Sequence, residues 1–121
     1  MKICLGLVPY EEMMRTLVFT ATHSATTELT AMTLDVQEHS TVTIRCLCDR
    51  GGILKTKYTF DSGKVADDQS LTVAAAALSS GVYTNLTTAV FDYKVGKLLI
   101  TFTPADGTSG FTEIEVTTAR K

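Results

Sequence analysis

The stretch Thr41–Phe60, TVTIRCLCDRGGILKTKYTF, decides the fold class of this chain. Two runs rich in β-branched residues flank Asp49-Arg50-Gly51-Gly52, a turn cluster whose glycines supply the positive φ angles of a hairpin. Apolar and polar side chains alternate in both runs, which is the pattern of half-buried antiparallel strands. The inward set is Val42, Ile44, Cys46, Cys48, Leu54, Thr56, Tyr58 and Phe60. We therefore predict a β-hairpin here.

Alternation also predicts strands on both sides of this hairpin. Thr16–His23 and Leu29–Gln37 precede it, and with the hairpin they are expected to form a four-stranded meander. Further on, Gly96 separates two alternating runs and predicts a second hairpin. The last strand, Phe111–Thr118, is expected to bury Ile114 and Val116 and to turn Glu113 and Glu115 outward.

One segment departs from the strand pattern. Residues 67–80 place Leu71, Ala74, Ala75 and Leu78 at helical spacing, with Gly81 where a C-terminal cap belongs. Four consecutive alanines strengthen the helical interpretation, whereas the neighbouring β-branched residues favour a strand over Leu71–Leu78. We predict one short helix, with the strand as the competing interpretation.

Composition agrees with a mainly β chain. Threonine accounts for 21 of the 121 residues, and its β-branched side chain favours strands. The expected fold is an antiparallel sandwich or twisted sheet, immunoglobulin-like or jelly-roll-like, with one short helix near residues 67–80. We expect residues 1–121 to form a single domain, with residues 1–9 as an N-terminal arm.

Two families show a loose resemblance to this pattern. The succession of strands and the ending TFTPADGTSGFTEIEVTT resemble immunoglobulin-like sandwich modules, although the chain has no Trp and so lacks their Cys–Trp–Cys signature. The length and the early meander resemble the coat proteins of single-stranded RNA phages. Those coats end in long helices, whereas this chain is expected to end in strands. Neither family's residues are therefore carried over.

The cysteines and histidines were the first candidates for chemistry. Cys46 and Cys48 could join Cys4, His23 and His39 around a metal, but a C-x-C pair within one strand lacks the spacing of known zinc sites. We interpret the cysteines as reduced and the C-x-C pair as packed in the core. No metal and no cofactor is expected.

No nucleophile or carboxylate pair predicts an enzyme. His23 and His39 each precede a serine, but no G-x-S-x-G turn presents a hydroxyl to a substrate. Asp67-Asp68 is expected to cap the helix, Glu113 and Glu115 line one exposed face, and Asp106–Gly110 resembles a turn more than a calcium loop. We expect no catalytic residues and no small-molecule substrate.

The charge pattern argues against nucleic acid. Arg45, Lys55 and Lys57 are expected to share the outward face of the first hairpin, with Arg50 at its tip. With a net charge of −2 and no aromatic residue between these cations, the face is interpreted as a solvated surface. The sequon at Asn85 is interpreted as a chance match.

The termini and hydropathy limit the location. The apolar run Ile3–Val8 is too short for a secretory signal, and no run approaches the ~20 residues of a membrane helix. We predict a non-enzymatic, self-assembling structural protein, and specifically a phage virion component (capsid decoration, tail or fibre subunit) assembled in the host cytoplasm. Its partners would be further copies and other virion proteins. The alternatives are a binding or adhesion module of a secreted or surface protein and a small enzyme of unknown type.

Overall fold

A computed structural model describes residues 14–36, 40–93 and 96–120. Ten strands occupy most of these residues, and no helix is present among them. In chain order they are β1 (Met14–His23), β2 (Leu29–Val36), β3 (Ser40–Cys48), β4 (Gly52–Thr59), β5 (Val65–Val73), β6 (Leu78–Ser79), β7 (Val82–Tyr83), β8 (Thr87–Tyr93), β9 (Gly96–Pro104) and β10 (Gly110–Arg120).

Eight of the strands form two antiparallel four-stranded sheets. The first sheet has the order β1-β10-β3-β8 and the second the order β2-β9-β4-β5, while β6 and β7 form a separate two-stranded sheet. The chain changes sheet at almost every connection, and its first and last described strands lie side by side. This arrangement is a jelly-roll β-sandwich, as the fold class predicted from the sequence allowed.

The core lies between the two sheets and is built from the alternation visible in the sequence. Val42, Ile44 and Cys46 of β3 are fully buried, as are Ile114 and Val116 of β10. From the second sheet, buried side chains of β2, β4 and β9 face them. They are Leu34, Val36, Leu54, Thr56, Leu98, Ile100 and Phe102. The predicted inward positions in β3 and β10 are thus confirmed.

The predicted hairpin over Thr41–Phe60 is wrong in its pairing. β3 belongs to the first sheet, where it pairs with β10 and β8, and β4 belongs to the second, where it pairs with β9 and β5. Alternation shows which side chains point inward, but strands that face each other across a core have the same pattern as strands that pair. The four-stranded meander is wrong for the same reason.

The turn between β3 and β4 is therefore a corner between sheets. The Gly51 N–H donates to the Cys48 carbonyl over 3.3 Å, and the Ala76 N–H donates to the same oxygen over 2.8 Å. A Cβ on Gly52 would lie 2.2 Å from the Thr103 carbonyl oxygen, so only glycine fits against β9 here. The second predicted hairpin, at Gly96, is likewise a corner, since β8 and β9 lie in different sheets.

The predicted helix near residues 67–80 is also wrong. Val65–Val73 forms β5 and pairs with β4, and residues 74–77 are irregular. The alanine backbone finds partners outside the segment: the Ala76 N–H bonds Cys48, and the Thr84 N–H donates to the Ala77 carbonyl over 2.9 Å. These tertiary hydrogen bonds replace those of a helix and override the intrinsic propensity of alanine.

Candidate interaction surface

Strand β1 is an edge strand of the first sheet as far as the described residues extend. All ten of its residues pair with β10 in an uninterrupted register, from Met14 opposite Ala119 to His23 opposite Gly110. Within the described part of the chain, no strand pairs with its other side. Residues 16–22 carry no charge; Leu17 and Phe19 pack against the core, and Val18 points outward with 64% of its surface exposed.

The outer face of the first sheet combines apolar and acidic residues. Val18 of β1, Glu115 of β10 and Arg45 of β3 are successive neighbours across the sheet. At the far side of the sheet, Val90 of β8 is 60% exposed. Glu113 lies on the same face, as the sequence predicted for both glutamates.

A small hairpin, residues 78–86, carries further exposed apolar side chains and is here called the apolar hairpin. Ser80 and Gly81 join its two strands with positive φ angles of 52° and 80°, as a two-residue hairpin turn requires. Such a short ribbon is not stable alone. It is anchored by the Ala77–Thr84 hydrogen bonds and by the Tyr83 ring, whose centroid lies 5.4 Å from that of Phe111.

Sequence reasoning missed this hairpin because Gly81 was assigned to a helix cap. The signal was present in Ser80-Gly81, which lies between Leu-Ser and Val-Tyr pairs. Its four large apolar side chains are 40–66% exposed: Leu78, Val82, Tyr83 and Leu86.

Two grooves run between the apolar hairpin and the first sheet. The larger, about 570 Å³, is lined by Thr20, Ala21, Thr22, Leu47, Tyr83, Phe111, Thr112 and Glu113. The smaller, about 220 Å³, is lined by Val18, Arg45, Leu47, Leu86, Glu113, Ile114 and Glu115. Because they share Leu47 and Glu113, the grooves adjoin and connect the hairpin to β1.

The second sheet presents a different, ion-paired surface. The Lys57 ammonium lies 3.0 Å from a Glu28 carboxylate oxygen, and the Thr101 hydroxyl donates to that oxygen over 2.8 Å. These hydrogen bonds, first that of Lys57 and then that of Thr101, lower the pKa of Glu28. Lys55 lies 3.7 Å from Asp67.

The predicted basic face is therefore wrong as a single surface. Arg45 lies on the first sheet, while Lys55 and Lys57 lie on the second, where each has an acidic partner. The side chain of Arg50 is half-buried at the corner rather than extended at a hairpin tip.

The structure brings together two of the residues considered for a metal. Thr112 connects them: its hydroxyl lies 2.7 Å from His23 Nε2 and donates to Cys48 Sγ over 3.3 Å. The Cys48 thiol in turn donates to the Gly51 carbonyl over 3.6 Å. The chain of contacts ties the ends of β1, β10 and β3 together. No group of three or more His, Cys, Asp or Glu residues that could hold a metal occurs in residues 14–36, 40–93 and 96–120.

Cys46 and Cys48 are both fully buried and free, so the core positions predicted for them are confirmed. Burial raises the pKa of the Cys46 thiol to about 12, and the neighbouring Cys48 adds to this effect. A thiol with so high a pKa is a poor nucleophile. Cys4 and His39 lie outside the described residues.

The remaining candidates are Asp67, Asp68, Asp106 and Asn85, and their contacts are structural. Asp67 and Asp68 lie on β5 instead of capping a helix. Asp106 accepts a hydrogen bond from the Thr108 N–H over 2.9 Å, which is a turn contact. The Asn85 amide of the sequon donates to the Ala75 carbonyl over 2.9 Å.

No family model matches the chain, and no curated protein matches it. Several solved structures of other proteins are similar to this chain. The Yersinia pseudotuberculosis-derived mitogen is similar at a TM-score of 0.50 and 6% identity over 88% of this chain and 86% of its own. A Bacillus endospore appendage protein has a TM-score of 0.50 and 12% identity over 89% and 88%. VP2 of infectious bursal disease virus has a TM-score of 0.51 and 10% identity over 88% of this chain and 32% of VP2.

The likeness is one of fold. At such low identity it supports the β-sandwich architecture alone, and this chain spans about a third of the length of VP2. No helix within the described residues has the length and apolarity needed to cross a membrane.

Proposed function

We propose that this protein is a non-enzymatic structural subunit that self-assembles. The observation that carries the proposal is the concentration of exposed apolar side chains on one side of the sandwich. Nine large apolar side chains are exposed among the described residues, and six of them lie on the outer face of the first sheet or on the apolar hairpin: Val18, Leu78, Val82, Tyr83, Leu86 and Val90. Exposed apolar side chains concentrated on one side of a protein are typical of a protein–protein interface.

Two further observations support the proposal that the assembly is a virion. The thiols of Cys46 and Cys48 are free and buried, which suits assembly in a reducing host cytoplasm. The fold also serves in assemblies, since the similar structures include a VP2 subviral particle and endospore appendages that form pili. We therefore favour a phage capsid decoration, tail or fibre subunit.

Light scattering coupled to size exclusion tests self-assembly directly. We expect the wild-type protein to form oligomers whose mass rises with concentration, and V82S to weaken them because Val82 is 66% exposed on the apolar hairpin. V65S is the matched control, since Val65 is 50% exposed at the start of β5 in the other sheet. A wild-type protein that stays monomeric at high concentration would refute the proposal.

A binding module is the second candidate, and the larger groove favours it. Tyr83 and Phe111 meet edge to face beside Thr20, Thr22 and Glu113, which places aromatic and polar groups around one cavity. This candidate predicts a monomer that binds a small ligand in the groove. Loss of binding in Y83A, with its fold and oligomeric state unchanged, would support it over self-assembly.

A further inference from the structure

The two strands at the edges of the second sheet are protected against pairing with another chain. β2 contains a bulge at Ala31, because Thr30 pairs with Thr101 and Met32 with the adjacent Ile100. β5 contains a bulge at Asp68, because Thr56 pairs with Gln69 and Lys57 with Asp67. Bulges and charges of this kind are the usual protection of an edge strand.

Strand β1 has no bulge, and its one Lys, Arg, Asp or Glu residue, Arg15, lies next to its first residue. Its ten pairs with β10 run without a register shift, and its seven central residues, 16–22, are uncharged. β8, at the opposite edge of the first sheet, is shorter and carries Asp92. A long, regular, uncharged edge presents a row of backbone donors and acceptors suited to another strand.

From this contrast we propose that β1 pairs antiparallel with β1 of a second copy of this chain, so that the two first sheets join into one eight-stranded sheet. The inference rests on the proposed self-assembly and names one contact within it, at the β1 edge of the side that carries the exposed apolar residues. The proposed register places Val18 opposite Val18, and residues 14–22 opposite residues 22–14.

The sequence of β1 is self-complementary in this register. Positions of equal parity face each other, so Leu17 meets Phe19 on the core side and Thr16 meets Thr20 on the outer side. Arg15 lies opposite Ala21, and no like charges oppose each other within the pair.

The register also explains the exposure of Val18. It causes little repulsion between the glutamates near Val18 in the two copies. Val18 is 64% exposed in one chain and would be covered by its counterpart at the two-fold axis. The nearest acidic neighbour, Glu115 of β10, would face its own counterpart three strand spacings away, roughly 14 Å. At that distance salt screens most of the repulsion between exposed charges.

Cysteine cross-linking tests the pairing. In a Cys4→Ser background, V18C is expected to form covalent dimers on mild oxidation or with a short bismaleimide, because opposed Cβ atoms in antiparallel strands lie about 5 Å apart. V90C is the matched control, since Val90 is equally exposed on the same face but lies on β8. It is expected to remain monomeric on denaturing gels. Dimers of V18C without dimers of V90C would support the pairing.

Two results would overturn it, and they are distinguishable from failure of the proposed function. If the wild-type protein forms oligomers but V18C does not cross-link to itself, β1 is not the interface although assembly stands. If V18C with Cys4 retained cross-links to Cys4 instead, a segment containing Cys4 occupies the edge. If the wild-type protein is monomeric at all concentrations, both proposals fail.

Discussion

β1 and β5 are edge strands of the same sandwich, one in each sheet. They differ in charge and in regularity. β5 carries Asp67 and Asp68, one of them in a bulge, and Lys55 lies 3.7 Å from Asp67. β1 is regular and uncharged over its central seven residues. Both contribute side chains to the core, so the difference does not arise from folding. This contrast is the basis of the proposal that the β5 edge is kept from pairing and the β1 edge pairs with a second copy.

The largest expected effect is on association through β1. V18K would place two lysines opposite each other at the proposed two-fold axis, and like charges in such a position cost several kcal/mol. We expect the association constant of the protein with itself to fall about hundredfold, as measured by sedimentation equilibrium. T72K on β5 adds the same charge at an exposed position of the protected edge and should change association little. Equal effects of the two variants would remove the distinction between the edges.

The inward sides of the edge strands should matter for stability. Val73 of β5 is 2% exposed, and V73A should lower the free energy of unfolding by about 2 kcal/mol through lost burial and a residual cavity. V65A in the same strand, where Val65 is 50% exposed, should cost less than about 0.5 kcal/mol. Urea denaturation measures both. A similar cost for the two would contradict the burial assigned to β5.

Removing the acidic residues of β5 should create a second edge strand that can pair with another chain. D67T/D68T leaves a threonine-rich strand without its two acids. We therefore expect the association constant for pairing through β5 to rise on the order of tenfold over that of the wild-type β5 edge. Light scattering in the V18K background isolates this effect from pairing through β1. If the double variant stays as dispersed as V18K alone, the aspartates do not protect the edge.

The smallest expected effect concerns the ion pair beside β2. The pKa of Glu28 is lowered in the folded state, so its carboxylate stabilises the fold above its unfolded pKa of about 4.3. This contribution is lost as pH falls through the lower folded value. Because Glu28 is largely solvated, screening limits the contribution to about 0.5 kcal/mol. E28Q should therefore lower stability slightly at pH 7 and not at pH 2, as measured by urea titration at each pH.

The sequence predicted the strands and the core better than their arrangement. The period of two in β3 and β10 correctly predicted buried Ile44, Cys46, Ile114 and Val116. It did not show which strands pair, because the corner at Gly51-Gly52 has the same residue types as a hairpin turn. Pairing in this fold depends on contacts distant in sequence, such as those between β1 and β10.

The interaction surface was the least predictable part. The alanines at 74–77 favour a helix locally, but hydrogen bonds to Cys48 and Thr84 hold them in an irregular conformation. The predicted helix concealed the apolar hairpin. An open edge is likewise a property of the assembled sheet. Nothing in the sequence Thr16–His23 alone shows that, among the described residues, a strand pairs with one of its sides and none with the other.

Pairing through β1 is distinguished from a monomer most directly by the native mass of the wild-type protein over a wide concentration range. A two-fold pairing through β1 predicts species built from pairs of the 13.1 kDa chain, with the paired mass increasing with concentration. A single species of 13.1 kDa up to millimolar concentration would contradict it.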